Sequence, residues 1–337
     1  LKAAQRRSFA DYLDRSELGT RTKRVVELVA QRMVEIDATT DYDDALTSAE
    51  AAFKKAGINV SAPKAKKSDT EPKAPAAGYL VFLGYHQVDR LARVLLERGE
   101  AGLTSKKEAQ ELLDTEHAVD VALFGRMVAE DATLNVDAAV QVAHALGTHA
   151  AVPDFDYYTA IDEMERLNEQ TGAGMIGTLE MMSSTVYRYA TLNVDQLVAN
   201  LGSVDAAVRA AEAFAATFIE SLPSGKQNTF AAHSLPDLVS VAVRDRRPVS
   251  YVNAFEKPVE VDEGGNRRVA ATAALASEAQ GVEDTYGMSP LHSWVMTVPA
   301  LRESAEGLGE SVNQKRLVEA VGEAVREASD AGAKAAR

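Results

Sequence analysis

The sequence predicts an α+β fold in which helices pack on one face of a sheet. Apolar residues recur at helical spacing through the first third of the chain, which is therefore mainly helical. From Val119 onwards, short alternating runs are separated by helical segments, and the order strand, helix, strand occurs twice. This order is typical of a split βαβ arrangement. With 337 residues, 46% of them hydrophobic, the chain can bury at least one sizeable core.

The first part of the chain is predicted to be helices interrupted by one linker. Val25, Val29, Met33 and Ile36 share one helical face, and residues 45–56 have a helix-forming composition. Ser61–Gly78 has three prolines, four lysines and no large apolar residue, which indicates a solvated, flexible linker. The predicted helices lie within residues 1–57, Val88–Arg98 and Lys106–Leu113, and the apolar run Tyr79–Gly84 leads into the second of these.

The remaining chain is predicted to mix strands and helices. Ser184–Val194 alternates clearly, with Tyr187 and Tyr189 on one face. The glycines of EQTGAGMIG predict a projecting hairpin, and its apolar tip, Met175 and Ile176, requires a partner surface. Predicted strands are Val119–Phe124, Ser184–Val194, Leu238–Val243 and Ser250–Phe255, and predicted helices are Asp137–Leu146, Val204–Phe218 and the tail after Leu291.

Composition limits the compartment and the kind of partner. The chain has no cysteine, which excludes disulfides and thiolate sites, and no apolar run reaches the roughly 18 residues of a spanning helix. We therefore expect a cytoplasmic protein without a membrane partner. The net charge is −14, but residues 1–24 hold seven basic and three acidic residues. Lys2 and Arg6 share one face of the first predicted helix, which can follow a phosphate backbone or simply face solvent. Because the chain opens inside this helix, we expect further residues before Leu1.

The sequence lacks the residues that catalytic and metal-binding motifs require. Ser224-Gly225-Lys226 lacks both the earlier glycine and the following hydroxyl residue of a phosphate-binding loop, since Glu220 and Gln227 stand there. The six histidines are scattered, and there is no G-x-S-x-G motif. We therefore expect no catalytic residues, no metal site, no cofactor and no enzymatic activity.

The remaining candidates suit contact with a single nucleic-acid strand. Arg126 and Met127 follow the predicted strand Val119–Phe124 and are expected on a loop, where a flexible methionine can slip between bases. Tyr157 and Tyr158 can stack on bases, and Thr159 can hydrogen-bond beside them. Core packing is the alternative role for each of these side chains.

A series of motifs resembles one known family. They are VDVALFGRM, VDAAVQVAHALGTHAA, DFDYYTAIDEM, SSTVYRYATLNVDQL, GKQNTFAAH and VNAFEKPV. In this order they resemble the backbone subunit of the type I-E CRISPR surveillance complex Cascade, the CasC family of crRNA-binding RAMP proteins. The resemblance runs from Val119 to Val259, and Leu1–Arg7 resembles the start of that family's first helix.

The resemblance implies a hand-shaped subunit. It has an RRM-like (ferredoxin-like) palm, an inserted helical finger domain and a β-hairpin thumb that folds over the RNA held by the neighbouring copy. The implied boundaries are 1–10, 119–148 and 181–260 for the palm, 11–118 for the fingers with a flexible insertion at 61–78, 149–180 for the thumb, and 261–337 for a mainly helical segment that packs on the palm.

The resemblance also implies roles for single residues. Lys2 and Arg6 would contact guide phosphates, and Met127 would insert beside the bases. The thumb residues at the kinked nucleotide would be Tyr157, Tyr158 and Thr159, and the weaker candidates for backbone contact or subunit packing are Arg188 and Lys226. The family's first palm strand and its basic loop have no counterpart in this sequence.

The implied partners are the CRISPR guide RNA, the target DNA strand paired to it, further copies of the chain in a helical filament, and other Cascade subunits. No aromatic RNA-binding motif marks the predicted strands, so RNA would be held by backbone and shape. Two alternatives stay open. One is a backbone subunit that cleaves target RNA with a carboxylate upstream of Leu1, and the other is a scaffold that binds only protein.

We expect Lys2→Ala or Arg6→Ala to weaken RNA binding about equally for guides of different sequence, and to lower its salt dependence, because phosphate contacts carry no sequence information. Binding titrations with two unrelated guides at several salt concentrations check this. A loss confined to one guide would contradict it.

Overall fold

The structure, a computed structural model, describes residues 2–62, 74–99, 102–128, 131–161, 173–261 and 265–335. It is a mixed helix-and-sheet structure, as the sequence predicts. The helices are α1 (Lys2–Ser8), α2 (Val25–Ile36), α3 (Tyr42–Ala56), α4 (Tyr85–Arg98), α5 (Lys106–Asp114), α6 (Val119–Phe124), α7 (Val194–Leu201), α8 (Val204–Glu220), α9 (Gln227–Phe230), α10 (Arg267–Tyr286) and α11 (Gln314–Ala335).

The strands form small sheets. They are β1 (Gly19–Thr22), β2 (Val60–Ser61), β3 (Ala76–Ala77), β4 (Val81–Gly84), β5 (Val140–Val142), β6 (Leu146–Gly147), β7 (Asp154–Ile161), β8 (Ala173–Met181), β9 (Val186–Tyr187), β10 (Ala190–Leu192), β11 (Leu238–Val243), β12 (His292–Thr297) and β13 (Glu310–Ser311). The pairs are β1–β4, β2–β3, β5–β10, β6–β9 and β7–β8, all antiparallel, and β11, β12 and β13 form one three-stranded sheet.

The chain divides into two compact units. Unit 1 consists of Leu1–Val142, Ala190–Pro236 and Gln314–Arg337, and unit 2 consists of Ala143–Tyr189 and Asp237–Asn313. Residues 11–118 and 119–142 therefore fall in the same unit. The palm, finger and thumb boundaries implied by the resemblance stay a prediction.

Helices α2–α5 form the first core of unit 1. The predicted apolar face of α2 is confirmed, because Val26, Val29 and Met33 are buried against a cluster that includes Phe53 of α3 and Leu91 of α4. This is the helical spacing that an amphipathic helix needs to bury one face.

The ends of the predicted linker pair with each other. Val60 lies opposite Ala77, and Ser61 lies opposite Ala76, so β2 and β3 close this segment at its base. The predicted flexibility of Ser61–Gly78 concerns mainly residues 63–73, which lie outside the described residues.

The predicted strand Val119–Phe124 is wrong, since these residues form α6. The alternation misleads because Asp120, its polar residue, is only 1% exposed. The Asp120 carboxylate accepts hydrogen bonds from Arg6 Nε at 2.7 Å and from the Gly19 backbone N–H at 2.9 Å. Arg6 Nη2 donates in turn to the Gly19 carbonyl at 3.1 Å. This closed set, the Asp120 network (Arg6, Gly19 and Asp120), joins α1, β1 and α6.

The expectation that Arg126 lies exposed on a loop is also wrong. Arg126 is buried, and its backbone pairs with Val136 in both directions. Its guanidinium donates to the carbonyls of Leu134 at 2.8 Å and Leu113 at 3.0 Å, and to the Asp114 carboxylate at 2.7 Å. A buried arginine needs such partners, because leaving its donors unpaired would cost several kcal/mol.

A histidine is buried beside this arginine. Burial lowers the pKa of His117 to about 4, and the nearby positive charge of Arg126 acts in the same direction. Its Nδ1 lies 3.4 Å from the side-chain amide nitrogen of Gln87. His117 is therefore neutral in the folded protein at pH 7.

The second core of unit 1 lies around α8. The predicted helix Val204–Phe218 is confirmed as α8, and the end of the predicted helical tail is confirmed as α11, which packs against it through buried Leu317 and Val325. The predicted helix Asp137–Leu146 is wrong. It contains β5 and the first residue of β6, and Val140 of β5 lies opposite Leu192 in a ladder with β10 that the alanine-rich composition hides.

Unit 2 is built on the sheet of β11, β12 and β13. The predicted strand Leu238–Val243 is confirmed as β11. Its partner β12 is a strand within the tail that was predicted to be helical after Leu291. The predicted strand Ser250–Phe255 is wrong, since Val252–Phe255 is a 3₁₀ helix that buries Phe255 beside α10. The predicted strand Ser184–Val194 is present in two pieces, β9 and β10.

We expect Asp120→Ala to lower the free energy of unfolding by about 3 kcal/mol, because it leaves part of the Arg6 guanidinium and the Gly19 N–H without their partner. Urea unfolding followed by circular dichroism measures this. Asp205→Ala is the matched control, since the Asp205–Arg326 pair is exposed and should contribute less than about 1 kcal/mol. Equal, small effects of both variants would contradict a structural role for Asp120.

We expect stability to fall as the pH drops from about 6.5 towards 4, in part because of His117. In that range the unfolded state holds a proton on this histidine and the folded state does not, so the proton uptake favours unfolding. His117→Asn removes this group, and its unfolding free energy should fall less steeply over the same range. Parallel pH profiles for the two proteins would show that His117 does not contribute.

Candidate nucleic-acid interface

The predicted hairpin is confirmed as the antiparallel pair β7–β8, which we call the exposed hairpin. Asp154 lies opposite Met181 at its base, and Tyr157 lies opposite Thr178 farther out. The connection between the strands, residues 162–172, lies outside the described residues. Met175 and Ile176, predicted at the tip, lie within β8 opposite Ala160 and Thr159, and both are exposed.

Large side chains are exposed on both faces of this hairpin. Successive residues of a strand point to opposite faces. Tyr157 therefore shares one face with Phe155 and Thr159, and it is 75% exposed. Tyr158 lies on the other face and is 49% exposed. Within the described residues, β7 and β8 pair only with each other, so no further strand extends the hairpin at either edge.

Tyr158 lies across the strand from a glycine. A Cβ placed on Gly177 would come within 2.6 Å of the Tyr158 hydroxyl oxygen, so the ring covers the Gly177 backbone. An aromatic ring over a cross-strand glycine protects the backbone there and fixes the ring's position. The tyrosine is therefore held in place on an otherwise open strand.

A histidine joins the two sides of the hairpin base. His149 Nε2 accepts the backbone N–H of Thr185 at 3.1 Å, and Nδ1 lies 2.7 Å from the Ala150 carbonyl oxygen. These contacts place the proton on Nδ1. Beside this bridge is an open, mainly polar cleft of about 490 Å³, whose walls include Asp154, Ser183 and Arg267.

Met127 is presented by fixed neighbours. Arg126 and Val128 are buried, and the Val128 N–H donates to Asn135 Oδ1 at 2.7 Å, whereas Met127 itself is 77% exposed. Gly125 makes the turn before them with φ 78°, and a Cβ there would lie 2.8 Å from the Val136 carbonyl oxygen. The backbone is thus fixed while the methionine side chain stays free in solvent.

The predicted basic residues are placed in different ways. Arg6 is bonded within the Asp120 network. Its guanidinium carbon also lies 4.3 Å from the centre of the Phe82 ring. The Lys2 side chain lies outside the described residues. Lys226 is exposed at the start of α9, in the left-handed conformation. Arg188 is half-buried, and burial lowers its pKa.

Some exposed apolar residues of this region were not predicted. Phe155 is exposed on the same face as Tyr157, and Met182 is exposed just after β8. The alternation of the DFDYYT run could have placed Phe155 beside Tyr157. Within the described residues, no cluster of three or more histidine or carboxylate side chains could hold a metal ion. In the same part of the chain, no helix is long and apolar enough to cross a bilayer.

Comparisons with known proteins agree with the motifs. The sequence matches the family described as CT1975-like protein over residues 1–323. The structure is similar to a chain of the solved "CRISPR RNA-guided surveillance complex, pre-nicking", with a TM-score of 0.79 and 30% sequence identity over 96% of this chain and 89% of that chain. It is also similar to a chain of a "CRISPR RNA-guided surveillance complex", with a TM-score of 0.68 and 26% identity over 95% and 88% of the two chains. No curated protein sequence matches it. The chain therefore belongs to the CT1975-like protein family, and it is a member of the Cascade backbone subunit family that its motifs resemble.

Proposed function

We propose that this chain is the guide-RNA-binding backbone subunit of a type I-E CRISPR Cascade complex. Several copies assemble along one guide RNA as a helical filament, together with the other Cascade subunits, and present the guide for pairing with target DNA in the cytoplasm. The palm is RRM-like, and the exposed hairpin is the thumb. The subunit holds the RNA without cutting it.

The observation that carries this proposal is the exposed hairpin. A two-stranded hairpin is marginally stable alone, and this one exposes Phe155, Tyr157, Tyr158, Met175 and Ile176 to solvent. Such an apolar surface marks an interaction site. Tyrosines on both faces can contact two partners at once, which suits a thumb that touches a base on one side and a neighbouring copy on the other.

Met127 supports the same function. Its fixed backbone and free thioether side chain allow it to fit beside bases of any identity without large rearrangement. A wedge of this kind contacts base faces, which every base has, so it suits a guide whose sequence varies.

The charge of the chain is consistent with binding the RNA backbone. The protein carries −14 overall, yet seven of its first 24 residues are basic. An acidic remainder repels nucleic acid from other surfaces and concentrates binding where the cations lie. The buried position of Arg126 removes it from the proposed RNA surface. Arg6→Ala would also break the Asp120 network, so Lys2→Ala is the cleaner test of phosphate contact.

We expect the full chain, expressed with a CRISPR guide RNA, to elute as a regular RNA-containing multimer in size exclusion with light scattering and absorbance at two wavelengths. Replacing Met127, Tyr157 and Tyr158 together with serine should abolish the multimer, because the base wedge and the thumb contacts are lost. Thermal melting should change little, since Met127 and Tyr157 are largely exposed and Tyr158 lies outside the buried cores.

Tyr286→Ser is the matched control, because Tyr286 is an exposed tyrosine at the end of α10, outside the hairpin. Its multimer should resemble that of the unaltered protein. An RNA-free monomer formed by the unaltered protein would overturn the proposal. Cleavage of guide-paired RNA in the same samples would instead favour a cleaving backbone subunit.

A further inference from the structure

Two arginines outside the predicted site lie over aromatic rings. The Arg21 guanidinium carbon is 5.0 Å from the centre of the Phe82 ring, and that of Arg15 is 4.5 Å from the centre of the Tyr85 ring. Arg21 and Phe82 are direct cross-strand partners in β1–β4, and Tyr85 begins α4 immediately after β4. Both arginines are exposed.

Neither Arg15 nor Arg21 is ion-paired within the part of the chain that the structure describes. Arg6 and Arg21 share the Phe82 ring, but Asp120, which is buried, is bonded to Arg6 and to the Gly19 N–H. Among the described residues, no carboxylate lies within ion-pair distance of Arg15 or Arg21. Glu17, the carboxylate nearest Arg15 on its C-terminal side, accepts two hydrogen bonds from Arg209 instead, the shorter at 2.8 Å.

This arrangement suits a phosphate group. A ring under a guanidinium holds its plane while the N–H edges stay free, and those edges match two phosphate oxygens at once. Phe82 and Tyr85 are three residues apart, so their Cα atoms are separated by at most about 11 Å. One extended strand can therefore place phosphates on both arginines.

We propose that Arg15 and Arg21 form a binding site for the phosphodiester backbone of the nucleic acid that this subunit carries. The site rests on the proposed function, and it assigns phosphate contact to two residues beside Arg6, whose own guanidinium is used within the protein. Phe82 and Tyr85 act as the platforms that orient the two guanidinium groups.

The test compares Arg15→Gln, Arg21→Gln and the double variant with the unaltered protein. Binding of guide RNA to the full chain is titrated at several salt concentrations. Each lost phosphate contact should reduce the slope of log affinity against log salt by about 0.7, and the double variant by about 1.4. Arg326→Gln is the matched control, since it removes one exposed positive charge of unit 1 from α11, a helix that supplies neither aromatic platform.

A second arm identifies the strand that is bound. A reduced slope of log affinity against log salt for guide RNA assigns the site to the guide. Unchanged RNA binding, with weaker capture of complementary DNA by the assembled complex, assigns it to the target strand. The site is overturned if the double variant matches Arg326→Gln both in the salt slope of guide-RNA binding and in the capture of complementary DNA. Because that comparison requires an RNA-dependent multimer of the unaltered protein, absence of the multimer would instead overturn the proposed function.

Discussion

Unit 1 depends on the buried pairing of Asp120 with Arg6. These residues are 114 positions apart in the chain, and both also bond to the backbone of Gly19. An isolated buried carboxylate is strongly unfavourable, so the buried position of Asp120 in α6 requires α1 and β1 to supply its partners. Helix α6 ends at Gly125, and the turn there sets the direction of Met127. The surface that we propose for RNA is thus positioned by an interaction that does not itself contact RNA.

The two candidate RNA contacts, Met127 of unit 1 and the exposed hairpin of unit 2, are stabilised differently. Around Met127 the backbone is fixed by the protein's own hydrogen bonds, so little ordering is needed when a ligand arrives. Among the described residues, the exposed hairpin is supported by its own ladder, by the ring of Tyr158 over Gly177 and, at its base, by the hydrogen bond from Thr185 to His149. Its apolar faces gain their burial only from a partner. This difference is expected of a subunit that has one fixed contact and one contact supplied by assembly.

The sequence predicted elements whose burial follows local spacing. Local spacing was enough to predict three elements, because their apolar residues repeat at helical or strand spacing within a few positions. These elements are the apolar face of α2, the strand β11 and the hairpin β7–β8. The position of Asp120 could not be found in this way, because its partner Arg6 is far away in the chain. The burial of Arg126 was missed because its carbonyl partners, Leu134 and Leu113, lie 8 and 13 residues away and share no helical or strand period with it. The hairpin's exposed tyrosines were recognised by their motif, and only the structure supplied their exposure on both faces.

The order of synthesis has a consequence for unit 1. Helix α11 belongs to this unit and covers α8, but the whole of residues 237–313 is made between them. At about 5–20 residues per second, a ribosome leaves the alanine-rich face of α8 uncovered for several seconds. Residues 237–313 of unit 2 are complete before α11 emerges. A chain that stops before Gln314 would therefore contain the three strands of the unit 2 sheet but leave α8 of unit 1 without its covering helix.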